Sequence, residues 1–115
     1  MSKTTHTPGP WYCTSEKDSV TGEVSTKPIG YGSYGDVALT FGDGAKGNAR
    51  LIAQAPELLA ELRAAGQIIK NALAVMPPEL LDKWHQLNRD TGACTEDPTR
   101  ATERATLIAK AEGGA

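Results

Sequence analysis

The sequence predicts an α+β fold, in which a small antiparallel meander of about three strands packs on a proline-broken central helix and two further helices follow. Three observations favour it. Apolar residues follow a long helical period over residues 48–75. Short alternating segments occupy residues 10–42, and two more helical segments follow the proline pair at 77–78. Because three strands need a cover for their apolar face, we expect the central helix to pack on the sheet.

The central segment carries the clearest periodic pattern. Its apolar stripe consists of Leu51, Ala55, Leu58, Leu62, Ala65, Ile69 and Ala72. Pro56 lacks an N–H and disfavours helical angles at Ala55, so we expect a break there, with Pro56 opening a second helix. Asp43 or Asn48 is expected to cap the first helix, and Gly66 to permit close approach of another backbone. The stripe is interpreted as a domain core, with a dimer or partner surface as the alternative.

Three segments before this helix are predicted strands, at residues 11–14, 20–25 and 36–41, with a hairpin tip as the alternative for the second. The alternation places Trp11 and Cys13 on one face of the first strand. In the third strand, the alternating apolar residues are Val37, Leu39 and Phe41. The three strands together predict the meander.

Two helices are predicted after the central one. The third covers residues 78–89, and its apolar side consists of Leu80, Leu81, Trp84 and Leu87. The last runs to about residue 111, with Asp97 as its cap and Pro98 at its first position. We expect a single domain over residues 1–115, divided into a flexible start (1–9), the meander (10–42) and a helical part (43–112).

Composition excludes several classes of function. The chain has 115 residues, with 12 Lys and Arg against 14 Asp and Glu, so its net charge of −2 argues against nucleic-acid binding through phosphate neutralisation. No apolar run approaches the roughly 20 residues of a membrane span. The N-terminal segment lacks the apolar middle of a signal peptide. We therefore expect a cytoplasmic protein.

Metal-binding and catalytic patterns are weak. His6, Cys13, His85 and Cys94 show no short ligand spacing. Cys13 is expected in the core, Cys94 in a loop as the more accessible thiol, and His85 at a solvated helix edge. Two carboxylate pairs, Glu57/Glu61 and Glu96/Asp97, lack an apolar pocket that would raise a pKa for acid–base work. The sequence thus predicts no catalytic residue, no metal, no cofactor and no enzyme.

Residues 30–35 read G-Y-G-S-Y-G, a literal G-x-G-x-x-G. A dinucleotide fingerprint follows a strand and opens a helix, whereas this motif precedes the predicted strand at 36–41. Tyr31 and Tyr34 could still stack on a base while backbone N–H groups approach an anion. The alternative is a plain hairpin loop.

Three segments carry a family resemblance: HTPGPW at residues 6–11, NARLIAQAPELL at 48–59 and ATLIAKA at 105–111. They resemble a group of small phage and prophage accessory proteins with an HTPGPW-like start and a NARLIAAAPELL-like helix. The resemblance implies expression inside a bacterium. It also implies modulation of host processes, as by proteins that inhibit bacterial immunity by binding an effector or a signalling nucleotide. It transfers no catalytic residue.

The resulting hypothesis is a non-enzymatic accessory protein that binds and modulates a host protein, with bacterial immunity as the target class. The expected partner-binding residues are Tyr31, Tyr34, Trp84, Arg89, Arg100 and Arg104. Two alternatives stay open, namely a sponge for a small signalling nucleotide and a self-assembling structural factor. A homodimer through the apolar helices is also expected, since twofold pairs are the commonest assembly.

Overall fold

The computed structural model describes residues 6–15, 20–28 and 36–113. Within these ranges the chain forms a three-stranded antiparallel sheet and four helices, which confirms the α+β class. The elements are β1 (Tyr12–Cys13), β2 (Gly22–Ser25), β3 (Asp36–Thr40), α1 (Ala45–Ala53), α2 (Ala55–Val75), α3 (Pro78–Asp90) and α4 (Ala101–Ala111). The chain divides into two compact units, Met1–Ala60 and Glu61–Ala115. The single domain of the sequence analysis stays a prediction.

The sheet of the first unit is a meander in the order β1-β2-β3, as predicted. Val24 is the central residue, since it pairs with Cys13 on one side and Ala38 on the other. The ladder is irregular between Val24 and Ser25. Beyond β1, the Thr14 N–H donates to the Glu23 carbonyl over 3.0 Å, which extends the pairing.

The core of the first unit lies between this sheet and α1. Val24, Ala49 and Ala53 are fully buried there. Partly buried side chains pack around them: Trp11, Cys13, Val37, Ala38 and Ile52. The buried face of α1 is therefore alanine, at positions four residues apart. The predicted stripe is wrong at Leu51, which is 65% exposed. Small side chains allow the helix to approach the sheet closely, and this places the larger leucine outside.

Gly22 shows how close this approach is. A Cβ at Gly22 would fall on Thr40 Oγ1 and on the Ala45 carbonyl oxygen, and would lie 2.7 Å from the Ala49 Cβ. The Thr40 hydroxyl donates to the same Ala45 carbonyl over 2.5 Å. Because no side chain fits at this point, β2, β3 and the start of α1 can meet directly.

Of the alternating apolar residues predicted for β3, Val37 packs against the core, whereas Leu39 and Phe41 do not. Leu39 is 54% exposed and Phe41 is 69% exposed. Directly paired residues share one face of a sheet, so Ala38 lies on the same face as buried Val24 and Leu39 points away from it. Phe41 follows the last residue of the strand, where the alternation no longer applies.

A break between two helices is present, but it falls at Gln54, one residue before the predicted position, and Ala55 is already helical. α1 ends at Ala53, and α2 begins at Ala55 with Pro56 as its second residue. Pro56 also meets the N-terminal segment, since a Cβ at Gly9 would lie 2.8 Å from the Pro56 Cβ. The Gly9–Pro10 peptide bond is cis. Two of the segments that carry the family resemblance are thus in contact within the first unit.

The start of α1 differs from the prediction. The residue before the helix is Gly44, with φ of 79° and no side-chain cap. Asp43 and Asn48 therefore do not cap it. Glycine adopts this left-handed conformation without steric cost, so it turns the chain into the helix three residues earlier than expected.

The second unit consists of the remainder of α2 with α3 and α4. None of the described residues in these three helices is fully buried. Their large half-buried apolar side chains are Leu62, Ile69, Leu73, Leu81, Trp84 and Ile108. Their large exposed ones include Ile68, Val75, Leu80, Leu87 and Leu107. Within the described residues, no helix has the length and apolarity needed to cross a membrane.

Candidate functional site

Two adjoining cavities form the candidate site, and both lie within the second unit. The smaller, of about 160 Å³, is lined by Ile69, Trp84, Asn88, Ala93, Pro98, Thr99 and Arg100. The larger, of about 290 Å³, is lined by Gly66, Ile69, Lys70, Leu73, Thr99, Ala101, Arg104, Ala105 and Ile108. Because Ile69 and Thr99 line both, the cavities are neighbours. We call them together the Trp84–Arg104 surface.

The connection from α3 to α4 is held by Asn88. The Asn88 carbonyl accepts the N–H groups of Ala93 (2.9 Å) and Cys94 (3.2 Å), and its side-chain amide donates to the Pro98 carbonyl over 3.1 Å. Gly92 has φ of 76°, which allows the chain to reverse at the end of α3. These bonds place the connection beside Trp84.

The same turn buries Cys94, which is only 5% exposed. The prediction that Cys94 is the more accessible thiol is therefore wrong, and Cys13 is the less buried of the two free cysteines. His85 is half-buried rather than solvated, and its ring lies 5.7 Å from that of Trp84 between centroids.

Asp97 organises the start of α4. Its Oδ1 accepts hydrogen bonds from the Thr99 N–H and the Thr99 hydroxyl, both at 2.9 Å, and its Oδ2 accepts the Thr102 N–H at 3.4 Å. These bonds, those of Thr99 foremost, lower the pKa of Asp97. The helix nevertheless begins at Ala101 after Arg100, so Pro98 is not its first residue. Arg100 has φ of 54°, and the prediction placed the helix start three residues too early.

Arg104 is fixed over α2. Its Nη1 donates to the Thr99 carbonyl over 2.7 Å. A Cβ at Gly66 would lie 3.2 Å from Arg104 Nε and 3.7 Å from its Cδ. The close neighbour of Gly66 is thus the Arg104 side chain, not another backbone as predicted. Glycine at this position leaves the space in which the guanidinium group lies.

The structure brings together half of the predicted binding residues. Trp84 and Arg100 line the smaller cavity, and Arg104 lines the larger. Arg89 is exposed in the last turn of α3 and lines neither. Tyr31 and Tyr34 lie outside the described residues, as does the loop whose role the sequence left open. Whether these residues bind a partner stays a prediction.

The first unit holds a larger cleft that the sequence analysis missed. It measures about 630 Å³ and is lined by residues 20–21 and 41–47, including Phe41 and Lys46. Residues 42–47 read G-D-G-A-K-G, a second G-x-G-x-x-G, which does follow a strand and open a helix. The position of this motif between a strand and a helix is the sequence signal that could have indicated the cleft. The sheet is antiparallel, however, so the parallel unit of the dinucleotide fold is not formed here.

Among the described residues, no group of three or more His, Cys, Asp or Glu side chains could hold a metal ion. The two cysteines of the chain are free thiols. The Trp84–Arg104 surface and the cleft beside α1 are therefore the candidate ligand sites considered below.

These features define a small α+β protein with a cavity-bearing helical unit. The chain belongs to the family of Salmonella phage P22 protein Y8K6, which it matches over residues 1–115. It is thus a small phage protein, in agreement with the resemblance of its sequence. No curated protein and no solved structure matches the chain.

Proposed function

We propose that the chain is a non-enzymatic phage accessory protein that binds and modulates a host protein. A component of bacterial immunity is the expected class of target. Membership of the phage family supports the setting. The observation that carries the binding proposal is the convergence of Trp84, Arg100 and Arg104 on two adjoining cavities.

The composition of this surface supports the proposal. Tryptophan and arginine are the residues most enriched among those that dominate the energy of protein interfaces. On α3, Leu80 and Leu87 are exposed one turn before and one turn after Trp84. Residues at these spacings lie side by side on a helix, so they form an apolar strip centred on the indole. Such a strip beside cationic side chains is typical of an interface centre with a polar rim.

Affinity capture from host lysate tests the proposal. The tagged chain and its W84A and R100E/R104E variants are compared by quantitative mass spectrometry. We expect one host protein in near-stoichiometric amount with the parent chain, and at least a tenfold lower yield with either variant. Leu51→Ala and Lys110→Glu are the matched controls, since both side chains are exposed and line neither cavity. Equal capture by all variants would place the binding surface elsewhere.

The immunity target is tested separately by plaque formation. Phage carrying the W84A gene should plate like the parent phage on a host that lacks the defence system, and less efficiently on a host that has it. Equal plating of both phages on every defended host would contradict inhibition of immunity through this surface.

A sponge for a small signalling nucleotide is the second candidate, and the cleft beside α1 favours it. Its volume of about 630 Å³ lies within the range of roughly 300–1,000 Å³ typical of ligand pockets. Gly42 and Gly44 leave the backbone accessible, and the lining includes one cation, Lys46, and one acid, Asp43. A nucleotide extracted from the purified chain, and lost from Lys46→Ala, would support this function. A ligand retained by that variant would contradict it.

A self-assembling structural factor is the third candidate, because Ile68 and Val75 are exposed one heptad apart on α2. Light scattering after size-exclusion chromatography would show a homodimer or larger assembly that Ile68→Glu dissociates. A monomer at all concentrations would exclude this function.

A further inference from the structure

We propose that the Trp84–Arg104 surface binds an acidic segment of the partner protein. An apolar side chain of that segment inserts into the larger cavity, while its carboxylates pair with Lys70, Arg100 and Arg104. This inference rests on the proposed host-protein binding and specifies the chemistry of the partner.

The larger cavity is suited to an apolar anchor. Its walls include Ile69, Leu73, Ala105 and Ile108. Ile69 also lines the smaller cavity, where it is joined by Trp84. The volume of about 290 Å³ is at the lower end of ligand pockets, which fits one or two side chains better than a cofactor. An unfilled apolar cavity lacks dispersion contacts that an inserted side chain would supply.

The charges around both cavities specify an acidic occupant. All three charged lining residues are cationic, namely Lys70, Arg100 and Arg104. This excess of positive charge is confined to the cavities, because residues 61–115 as a whole contain seven Lys and Arg and eight Asp and Glu, for a formal charge of −1. Two acids are close to these cations in sequence. Glu103 precedes Arg104 but is exposed and lines neither cavity, while the Thr99 and Thr102 hydrogen bonds occupy the oxygens of Asp97.

The cations are also available for a partner. Arg63 pairs with Glu112, whereas no carboxylate among the described residues pairs with Lys70, Arg100 or Arg104. Arg104 is held in place by the Thr99 carbonyl, which uses one of its five N–H donors. A guanidinium fixed in this way can bind a carboxylate through two parallel hydrogen bonds with little further loss of side-chain entropy.

Amide NMR of the ¹⁵N-labelled full chain tests this inference with two probe peptides. The first is an octapeptide with a central Leu-Phe pair flanked by Asp and Glu, and the second replaces every Asp and Glu with Asn and Gln. We expect the acidic peptide to shift the Trp84 indole N–H and amides within residues 66–73 and 99–108. Its affinity should exceed that of the neutral peptide at least tenfold at low salt, and should fall as salt screens the charges.

The variants R104Q and K110Q sharpen the test. Arg104→Gln should weaken binding of the acidic peptide several-fold, while Lys110→Gln should leave it unchanged. Equal affinity for the two peptides, no shifts, or shifts confined to residues 41–47 would overturn the inference. If the same amides shift with chain concentration in the absence of peptide, the surface binds a second copy of the chain, and this result would also overturn the inference. A host protein that is captured regardless of these charges would refute the acidic segment alone and leave the proposed function standing.

Discussion

Gly22 sets the distance between the sheet and α1, because a Cβ there would collide with Thr40, Ala45 and Ala49. We expect Gly22→Ala to lower the free energy of unfolding by at least the roughly 1–3 kcal/mol typical of overpacking. Gly47→Ala is the matched control, since nothing lies within 4 Å of an added Cβ at that position of α1. Alanine should there raise stability by up to about 1 kcal/mol. Urea denaturation followed by circular dichroism measures both, and equal effects would contradict the packing described.

Asp97 gives the start of α4 a pH dependence. The Thr99 and Thr102 hydrogen bonds favour its ionised form and lower its pKa below the ordinary value of 3.8. The contribution of Asp97 to stability is therefore fully present above pH 3.8 and is lost as the pH falls through the lowered pKa. Carboxyl ¹³C NMR should give a midpoint below 3.8, and Thr99→Val should move it upward. A midpoint at or above 3.8 in the parent chain would show that these bonds are not formed in solution.

Residue-level environments were the hardest to predict from sequence. Cys94 lies in a polar loop of the sequence, yet the Asn88 hydrogen bonds fold that loop so that the thiol is buried. Gly66 was correctly singled out as a point of close approach, but its neighbour is a side chain from a helix about 40 residues away. Such contacts depend on tertiary packing, which no local pattern contains.

At the scale of elements, the apolar periodicity of the sequence predicts where the helices and strands lie better than it predicts which of their faces points inward. The helical period, the turn residues and Pro56 are local signals, and the observed bounds agree with them to within a few residues. The face of α1 was misjudged because leucine is more hydrophobic than alanine, while the sheet accepts only small side chains at Ala45, Ala49 and Ala53. The face of β3 followed from its pairing with β2, which the sequence alone does not define.

Because the buried face of α1 is alanine, enlarging a small residue of this helix should destabilise the chain more than truncating a large one. Ala49→Val should destabilise the first unit by about 1–3 kcal/mol through overpacking. Leu51→Ala should change stability by less than about 0.5 kcal/mol, as is usual for exposed positions. Thermal unfolding of the two variants beside the parent measures this difference. A larger loss for Leu51→Ala than for Ala49→Val would restore the apolar stripe predicted from the sequence.

At the scale of the whole molecule, the sequence predicted part of the candidate site. Trp84, Arg100 and Arg104 were chosen for residue type, and the turn at Asn88 with the bend at Arg100 brings them to adjoining cavities. The cavities themselves could not be predicted, because they depend on how Ile69 and Thr99 meet. The family establishes a phage protein.

The proposed binding surface is tested by hydrogen–deuterium exchange, measured on the chain alone and on its complex with the host protein that affinity capture is expected to yield. We expect slower exchange in the complex at residues 66–73, 84–88 and 99–108, which carry the Trp84–Arg104 surface. Protection confined to residues 36–60 would contradict it and would place the partner on the first unit.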